Sequence, residues 1–287
     1  MKHRFITISL LLAGTITLAA QTIRFEDFKD ESCYLSKTLE DSWWGDDQVY
    51  HGFTFTTELM WPVGGLLADK LRSLRQFILE SYASDDIMAA LKARVDNPDF
   101  HTVLHNAMRK EYFTDGLCSV DPNDMRPVQP AQLAEYGEVS FSEQSMELKH
   151  VQRGVYVFLF SGDDYCDGAA HPMGGVWSLN YDAECNQRLT LGDLLRTDRQ
   201  KEVNRVYCDV VNQWIVENDL QDYNSEPFSD LINFNSYGSW YIDKDGIVFI
   251  FNPYEVAPYA YGLVEITLPV RKYKHLFRPA VLKYWNL

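Results

Sequence analysis

Beyond residue 20 the chain has no run apolar enough to cross a bilayer, so the mature protein is expected to contain no integral membrane segment. Cysteine is sparse, with five residues, and none of their spacings is Cys-x-x-Cys. No histidine cluster accompanies them, which argues against a zinc site. Basic residues are few: 26 Lys and Arg stand against 41 Asp and Glu. An excess of that sign repels nucleic-acid phosphates and anionic membranes, so nucleic acid is not an expected partner. There is no internal repeat and no low-complexity segment. No Ser or Cys lies in a recognisable nucleophile elbow, and no cofactor is expected.

What is present begins with the N-terminus. Lys2, His3 and Arg4 precede a mostly apolar stretch from Phe5 to Leu18, and Ala19-Ala20 supplies small residues for cleavage. This is the pattern of a secretory signal peptide over residues 1–20. No Cys follows it, which argues against a lipoprotein anchor. The mature chain is expected to be periplasmic or secreted, in a bacterium. Without Lys2 and Arg4, 24 basic residues face 41 acidic ones, a formal charge of −17. Hydrophobic residues make up 46% of the chain, enough for a folded core.

Export permits disulfides, and an odd number of cysteines leaves at least one unpaired. Cys166 and Cys185 bracket a loop and the strand after it, and are expected to pair. Cys33 with Cys118 is the second expected pair. Cys208 lies inside the strongest helix and is the expected free thiol.

Hydrophobic periodicity sets out the elements. Residues 51–61 partly alternate as a half-buried strand, ended by Pro62 and Gly64-Gly65. Leu67, Leu71, Leu74, Phe77, Ile78 and Tyr82 share one helical face over 66–82. A short helix is expected from Ser84 to Ala93, and a third after Asn97-Pro98, stopped at Asp115-Gly116. Pro122, Pro127 and Pro130 mark a loop over 119–131 and the expected boundary. Strands follow at 135–149, 155–160 and 174–181. The run 155–160 suits a strand covered on both faces. The helix over 198–218, with Asp198 as its expected N-cap, has the clearest apolar stripe. A hairpin at 237–251 turns at Asp243-Lys244-Asp245-Gly246, and a last strand spans 263–268. The blocks do not alternate strictly, so the class is α+β, with mixed or antiparallel sheets and packed helices.

Several separated motifs keep a fixed order: Gly-Ala-Ala-His-Pro at 168–172, Asn-Tyr-Asp at 180–182, Leu-Thr-Leu-Gly-Asp-Leu-Leu at 189–195, the long helix, the hairpin, and Phe-Asn-Pro-Tyr-Glu-Val-Ala-Pro-Tyr-Ala-Tyr-Gly at 251–262. Over roughly 135–276 this order resembles the C-terminal domain of unknown function shared by RsiV, a lysozyme-sensing anti-sigma factor, and PdaC, a peptidoglycan deacetylase. Residues 33–113 resemble the smaller domain that commonly precedes it. The resemblance implies two adjoining modules: a smaller α+β module at 21–118, a linker at 119–134, and an RsiV-like module at 135–287. It implies non-catalytic binding in the cell envelope, with lysozyme, a basic protein, as the family's known partner. It includes neither the cytoplasmic and membrane segments of the sensor nor the catalytic domain of the deacetylase.

His171, near Asp163, Asp164 and Asp167, fits either a general acid/base or a residue that ties its loop to backbone, and the second reading is favoured. The run from Asp163 fails as a calcium loop, because the third position is Tyr165 and the twelfth Gly174. Acidic pairs such as Asp46-Asp47 and Asp85-Asp86 discriminate nothing in so acidic a chain. Trp43-Trp44 reads as a packing anchor before a sugar platform. Pro253 to Gly262, rich in Tyr and Pro, suits either an exposed recognition loop or a locked strand connection. The expected partner-binding residues are Gly168, His171, Pro172, Pro258, Tyr259 and Tyr261. The expected partner is a basic, lysozyme-type protein. A cell-wall glycan comes second, and a hydrolase using His171 with an Asp third.

Overall fold

Residues 22–39, 48–82, 91–97, 99–115, 125–135, 139–166 and 169–287 are described in a computed structural model of the chain. They fall into two compact units. One comprises the chain to Met146 together with Ser161–Gly174; the other comprises Glu147–Phe160 together with Gly175–Leu287. Trp43, Trp44, Asp46, Asp47, Asp85, Asp86 and most of the helix expected from Ser84 lie outside the described residues.

In the first unit β1 (Arg24–Leu39) pairs antiparallel with β2 (Gln48–Gly64) along its whole length, Leu39 facing Gln48 and Arg24 facing Gly64. The alternation expected over 51–61 is present: Phe53, Phe55, Thr57, Leu59 and Trp61 are all buried. Two helices cover that face, α1 (Ala68–Tyr82) and α2 (Phe100–Asp115). α1 buries Leu74, Ile78 and Leu79. α2 buries Phe100, Leu104, His105, Met108 and Tyr112, at the three- and four-residue steps of one helical face. Trp61 and Phe100 meet with ring centroids 5.0 Å apart. Within the segment read as a linker, β3 (Met125–Pro127) pairs with Tyr34–Ser36 of β1. α3 (Pro130–Leu133) follows, opened by a capping box between Gln129 and Gln132.

β4 (Val139–Gln152) runs parallel to β2 from Val139 opposite Gly52 to Met146 opposite Leu59. Arg153 and Gly154, with φ of 51° and 83°, form the turn into β5 (Val155–Tyr165). Two positive φ values in a two-residue loop match the twist of a hairpin. β6 (Met173–Asp182) and β7 (Gln187–Arg188) complete a seven-stranded sheet in the order β3-β1-β2-β4-β5-β6-β7.

In the second unit Thr190 caps α4 (Leu191–Leu194) through a capping box with Asp193. The long helix α5 (Gln200–Glu217) buries Val203, Val206, Tyr207, Val211 and Ile215. A 3-10 turn at Thr197–Arg199 precedes it, and its N-cap is Arg199 rather than Asp198. Asp198 is held instead by Arg196, at 2.5 and 3.1 Å. β8 (Trp240–Asp243), β9 (Gly246–Phe251) and β10 (Val264–Pro269) form an antiparallel sheet in the order β10-β9-β8. Every residue of β9 is buried. Gly246 is required at the hairpin because a Cβ there would lie 2.0 Å from the carbonyl oxygen of Leu268.

The outer side of β8 is bonded by side chains. Asn180 Nδ2 donates to Trp240 O at 2.9 Å, and Asn180 Oδ1 accepts from Ile242 N at 2.9 Å. Ser178 Oγ also donates to Trp240 O, and His150 Nε2 donates to Ile242 O at 2.8 Å. The architecture is α+β, as expected from the order of elements.

The cysteine pairing is corrected. Cys185, like Cys33 and Cys208, is a free thiol. The bridge from Cys166 to Cys185 therefore does not form, and neither does one from Cys33 to Cys118; Cys118 lies outside the described residues. The reason is geometric. Cys185 follows the ten extended residues of β6, which advance the chain roughly 33 Å, whereas a disulfide needs Cα atoms within about 7 Å. Cys208 is free as expected.

Candidate binding site

The expected site residues fall in both units. His171 and Pro172 belong to the first, and Pro258, Tyr259 and Tyr261 to the second. Gly168 lies outside the described residues. His171 is half-buried, and its Nδ1–H donates to the carbonyl oxygen of Pro172 at 2.8 Å. The proton donated to backbone holds the ring in place within its own loop. Close by in sequence, Gly174 leaves no room for a side chain: a Cβ would come within 2.1 Å of Gly162 O and 2.2 Å of Asp163 Oδ1. Burial pushes the Asp164 carboxyl above its ordinary range, against a hydrogen bond from Ser142 that favours the charged form.

The Tyr- and Pro-rich segment after β9 is built more elaborately. Asn252 starts it: its Oδ1 accepts from Val176 N at 2.7 Å, and its own N–H donates to Glu255 Oε2 at 2.7 Å. Tyr254 takes a left-handed φ of 74°, and its N–H donates to Ala257 O at 3.1 Å. Val256 and Ala257 are buried and anchor the segment from below. Pro258 then opens a 3-10 turn, Tyr259–Tyr261, closed by Gly262 with φ of 64°.

This construction turns the tyrosines outward. Tyr254 is 47% exposed and Tyr261 48%, while Pro258 and Tyr259 are half-buried. Tyr259 packs on Tyr254 with centroids 5.7 Å apart, and Tyr261 stands edge-on to Trp214 at 6.5 Å. Tyr223, 42% exposed, donates from its hydroxyl to Tyr254 O at 3.4 Å. The locked-connection and exposed-loop readings thus apply to different residues: Val256 and Ala257 lock the connection, and Tyr254 and Tyr261 face solvent. Tyr254 was not among the expected anchors, although it lies in the flagged segment.

The surrounding charge is of one sign. Between Arg205 and Arg271 the sole basic residue is Lys244, against ten acidic residues. Glu217, Asp219, Asp222, Glu226, Asp230 and Glu255 are exposed, and none has a basic partner among the described residues. Glu255 also lines a cavity of about 340 Å³, which no sequence motif announces.

Fold and surface together define an α+β protein with an exposed tyrosine cluster set among carboxylates. The comparisons agree on the fold. Residues 193–271 match the model of DUF3298, a protein family of unknown function. The chain is similar to the crystal structure of a member of that family from Bacteroides fragilis NCTC 9343, with 16% identity and a TM-score of 0.57, over 93% of this chain and 98% of that one. It is also similar to a DUF3298 family protein from Pseudomonas aeruginosa PAO1, with 16% identity and a TM-score of 0.55, over 91% of this chain and 97% of that one. Likeness at this identity concerns the fold alone. No curated protein matches the chain. Among the described residues, no helix is long and apolar enough to cross a membrane.

Proposed function

We propose that this chain is an exported, non-catalytic binding protein of the bacterial cell envelope whose partner is a basic protein of the lysozyme type. The observation that carries the reading is the exposed tyrosine cluster, Tyr223, Tyr254 and Tyr261, surrounded by carboxylates that have no basic partner among the described residues. Tyrosine offers a large contact area at low entropy cost. Carboxylates around it steer a basic partner and raise its rate of encounter. The formal charge of −17 after signal removal has the same sign, and the resemblance to the RsiV and PdaC domain supplies the partner class. The signal-like residues 1–20 support export.

The test measures binding of the mature protein to hen lysozyme, to a lysine-rich control protein of similar charge, and to peptidoglycan fragments. Tyr254→Ala and Tyr261→Ala are compared with the parent, alongside their thermal unfolding. Each variant is expected to remain folded and to lose about 2 kcal/mol or more of lysozyme binding, the scale of a buried anchor. Added salt is expected to slow association more than it speeds release. Full-strength binding by both folded variants would place the partner elsewhere. Selective capture of peptidoglycan fragments would favour a glycan ligand, for which the exposed tyrosine rings offer stacking surfaces. Turnover of a cell-wall substrate, lost in His171→Ala, would establish the hydrolase reading instead.

A further inference from the structure

The cavity of about 340 Å³ lies wholly within the second unit. That volume is at the small end of ligand pockets, which run from roughly 300 to 1,000 Å³. It suits one side chain rather than a polymer. Tyr207, Phe228, Phe249 and Phe251 wall it. Tyr207 meets Phe228 edge-on at 5.5 Å and Phe249 at 4.6 Å, and Phe228 meets Phe251 edge-on at 5.8 Å. These are apolar walls with aromatic faces.

Two carboxylates, Asp230 and Glu255, belong to the lining, which contains no Lys, Arg or His. One oxygen of Glu255 is held by Asn252 N, which leaves the other for a ligand. Asp230 uses its backbone carbonyl, not its carboxylate, to accept from the Cys208 thiol at 3.4 Å. Asn233, Ser236, Ser239 and Tyr207 also line the cavity. Tyr207 is 9% exposed, and its ring forms part of the wall. Burial, followed by the charges of Asp230, Cys208 and Glu255, pushes the phenol well above its ordinary range, so it stays protonated.

The chemistry selects the ligand. Two carboxylates reject an anion. A neutral sugar leaves both charges uncompensated. A cation on an apolar stem satisfies both halves, with its stem against the aromatic walls and its charge at Asp230 and Glu255. Aromatic faces add a cation–π attraction. Leu231, 71% exposed at the rim, gives apolar contact to whatever carries the stem.

We propose that this cavity receives one lysine or arginine side chain from a basic protein partner. The proposal rests on the partner class of the preceding section and adds the subsite at which that partner is anchored.

The test titrates the full mature protein with Nα-acetyl-lysine methylamide and Nα-acetyl-arginine methylamide. The neutral Nα-acetyl-norleucine methylamide has a similar stem and serves as the control. Binding is read by NMR shifts and by fluorescence of Trp240, which lines the cavity. The charged derivatives are expected to bind about tenfold or more tightly than the neutral one, a charge-assisted hydrogen bond's worth. Asp230→Asn with Glu255→Gln should erase that preference while the protein stays folded, both positions being exposed. Equal affinity for lysine and norleucine derivatives, or a preference that survives the double variant, overturns the subsite. If hen lysozyme binds the parent and the double variant equally, the subsite falls and the partner class stands. If the charged probes bind as expected and no basic protein does, the pocket stands and the partner class falls.

Discussion

The hydroxyl of Tyr284 donates to Asp182 Oδ2 at 2.6 Å, joining positions 102 residues apart in the chain. Both groups are buried. The other oxygen, Oδ1, accepts from the N–H groups of Glu184 and Cys185 at 2.8 and 3.0 Å. One buried carboxylate thus receives three donors, and no basic residue among the described ones forms an ion pair with it. The contact ties the C-terminal segment, with Tyr284 and Trp285 buried, to the end of β6.

Removing that donor should be expensive. Tyr284→Phe keeps the ring and deletes the bond to the buried carboxylate. A hydrogen bond to a charged group contributes about 1.5–3 kcal/mol, and that much loss is expected in urea unfolding. Asp182→Ala should cost more, because it orphans three donors at once. An unchanged unfolding midpoint for Tyr284→Phe would mean that the carboxylate finds another donor.

The first unit carries a pH-sensitive group. His105 is buried between Thr57 Oγ1, 2.9 Å from Nδ1, and Ser32 Oγ, 3.3 Å from Nε2. Burial lowers its pKa first, Asp30 at 3.6 Å opposes that, and Arg109 adds to it. The unfolded chain therefore takes up the proton more readily than the folded one. Stability from this group is complete above the unfolded value of about 6.5. It is lost as pH falls from there towards the lower folded value. Melting temperatures between pH 8 and pH 5 should fall on acidification (an order-of-unit window set by the ordinary histidine pKa). The drop should be smaller in His105→Gln, and the difference between the two curves isolates this residue. Parallel curves would show that His105 does not titrate differently on folding.

The cysteines should separate by accessibility. Alkylation of the native, unreduced protein is expected to label Cys185 first, because it is exposed, then the half-buried Cys208. Buried Cys33 should react only on unfolding. Burial raises the thiol pKa of all three, which slows each relative to a free thiolate. Cys166 is not a free thiol, and its peptide should be labelled only after reduction. Peptide mass spectrometry over a time course reads the order, and an unlabelled Cys185 would contradict its free state.

Much of the second unit was legible in sequence because its signals are local. The run Ile247–Phe251, bounded by Asp245-Gly246, reads as a buried strand after a tight turn, and the spacing from Val203 to Ile215 reads as a helix. β1 was not legible. Its Glu26, Asp27, Lys29 and Glu31 are exposed and have low strand propensity, and the strand exists through its pairing with β2. β3 was hidden for a similar reason, as three residues ending in Pro127 make a strand through β1 alone. Asp198 does not cap the helix because it has a competing partner in Arg196. For the site, composition flagged the Tyr- and Pro-rich segment but left open which residues face outward. The positive φ of Tyr254 and the burial of Val256 and Ala257 decide that, and both are tertiary facts. The cavity was invisible, since Tyr207, Asp230 and Glu255 come together from a helix, a loop and a strand connection with no fixed spacing.

The side chains along β8 have a consequence for assembly. A border strand with bare peptide groups is a template onto which another chain can zip, and such borders drive aggregation. Here Asn180 acts as a substitute peptide unit, accepting from Ile242 N and donating to Trp240 O, while His150 occupies Ile242 O. Those groups are already spent within the molecule. A visiting β-strand finds no open ladder at these positions, so self-association by strand addition is blocked there even in a crowded solution.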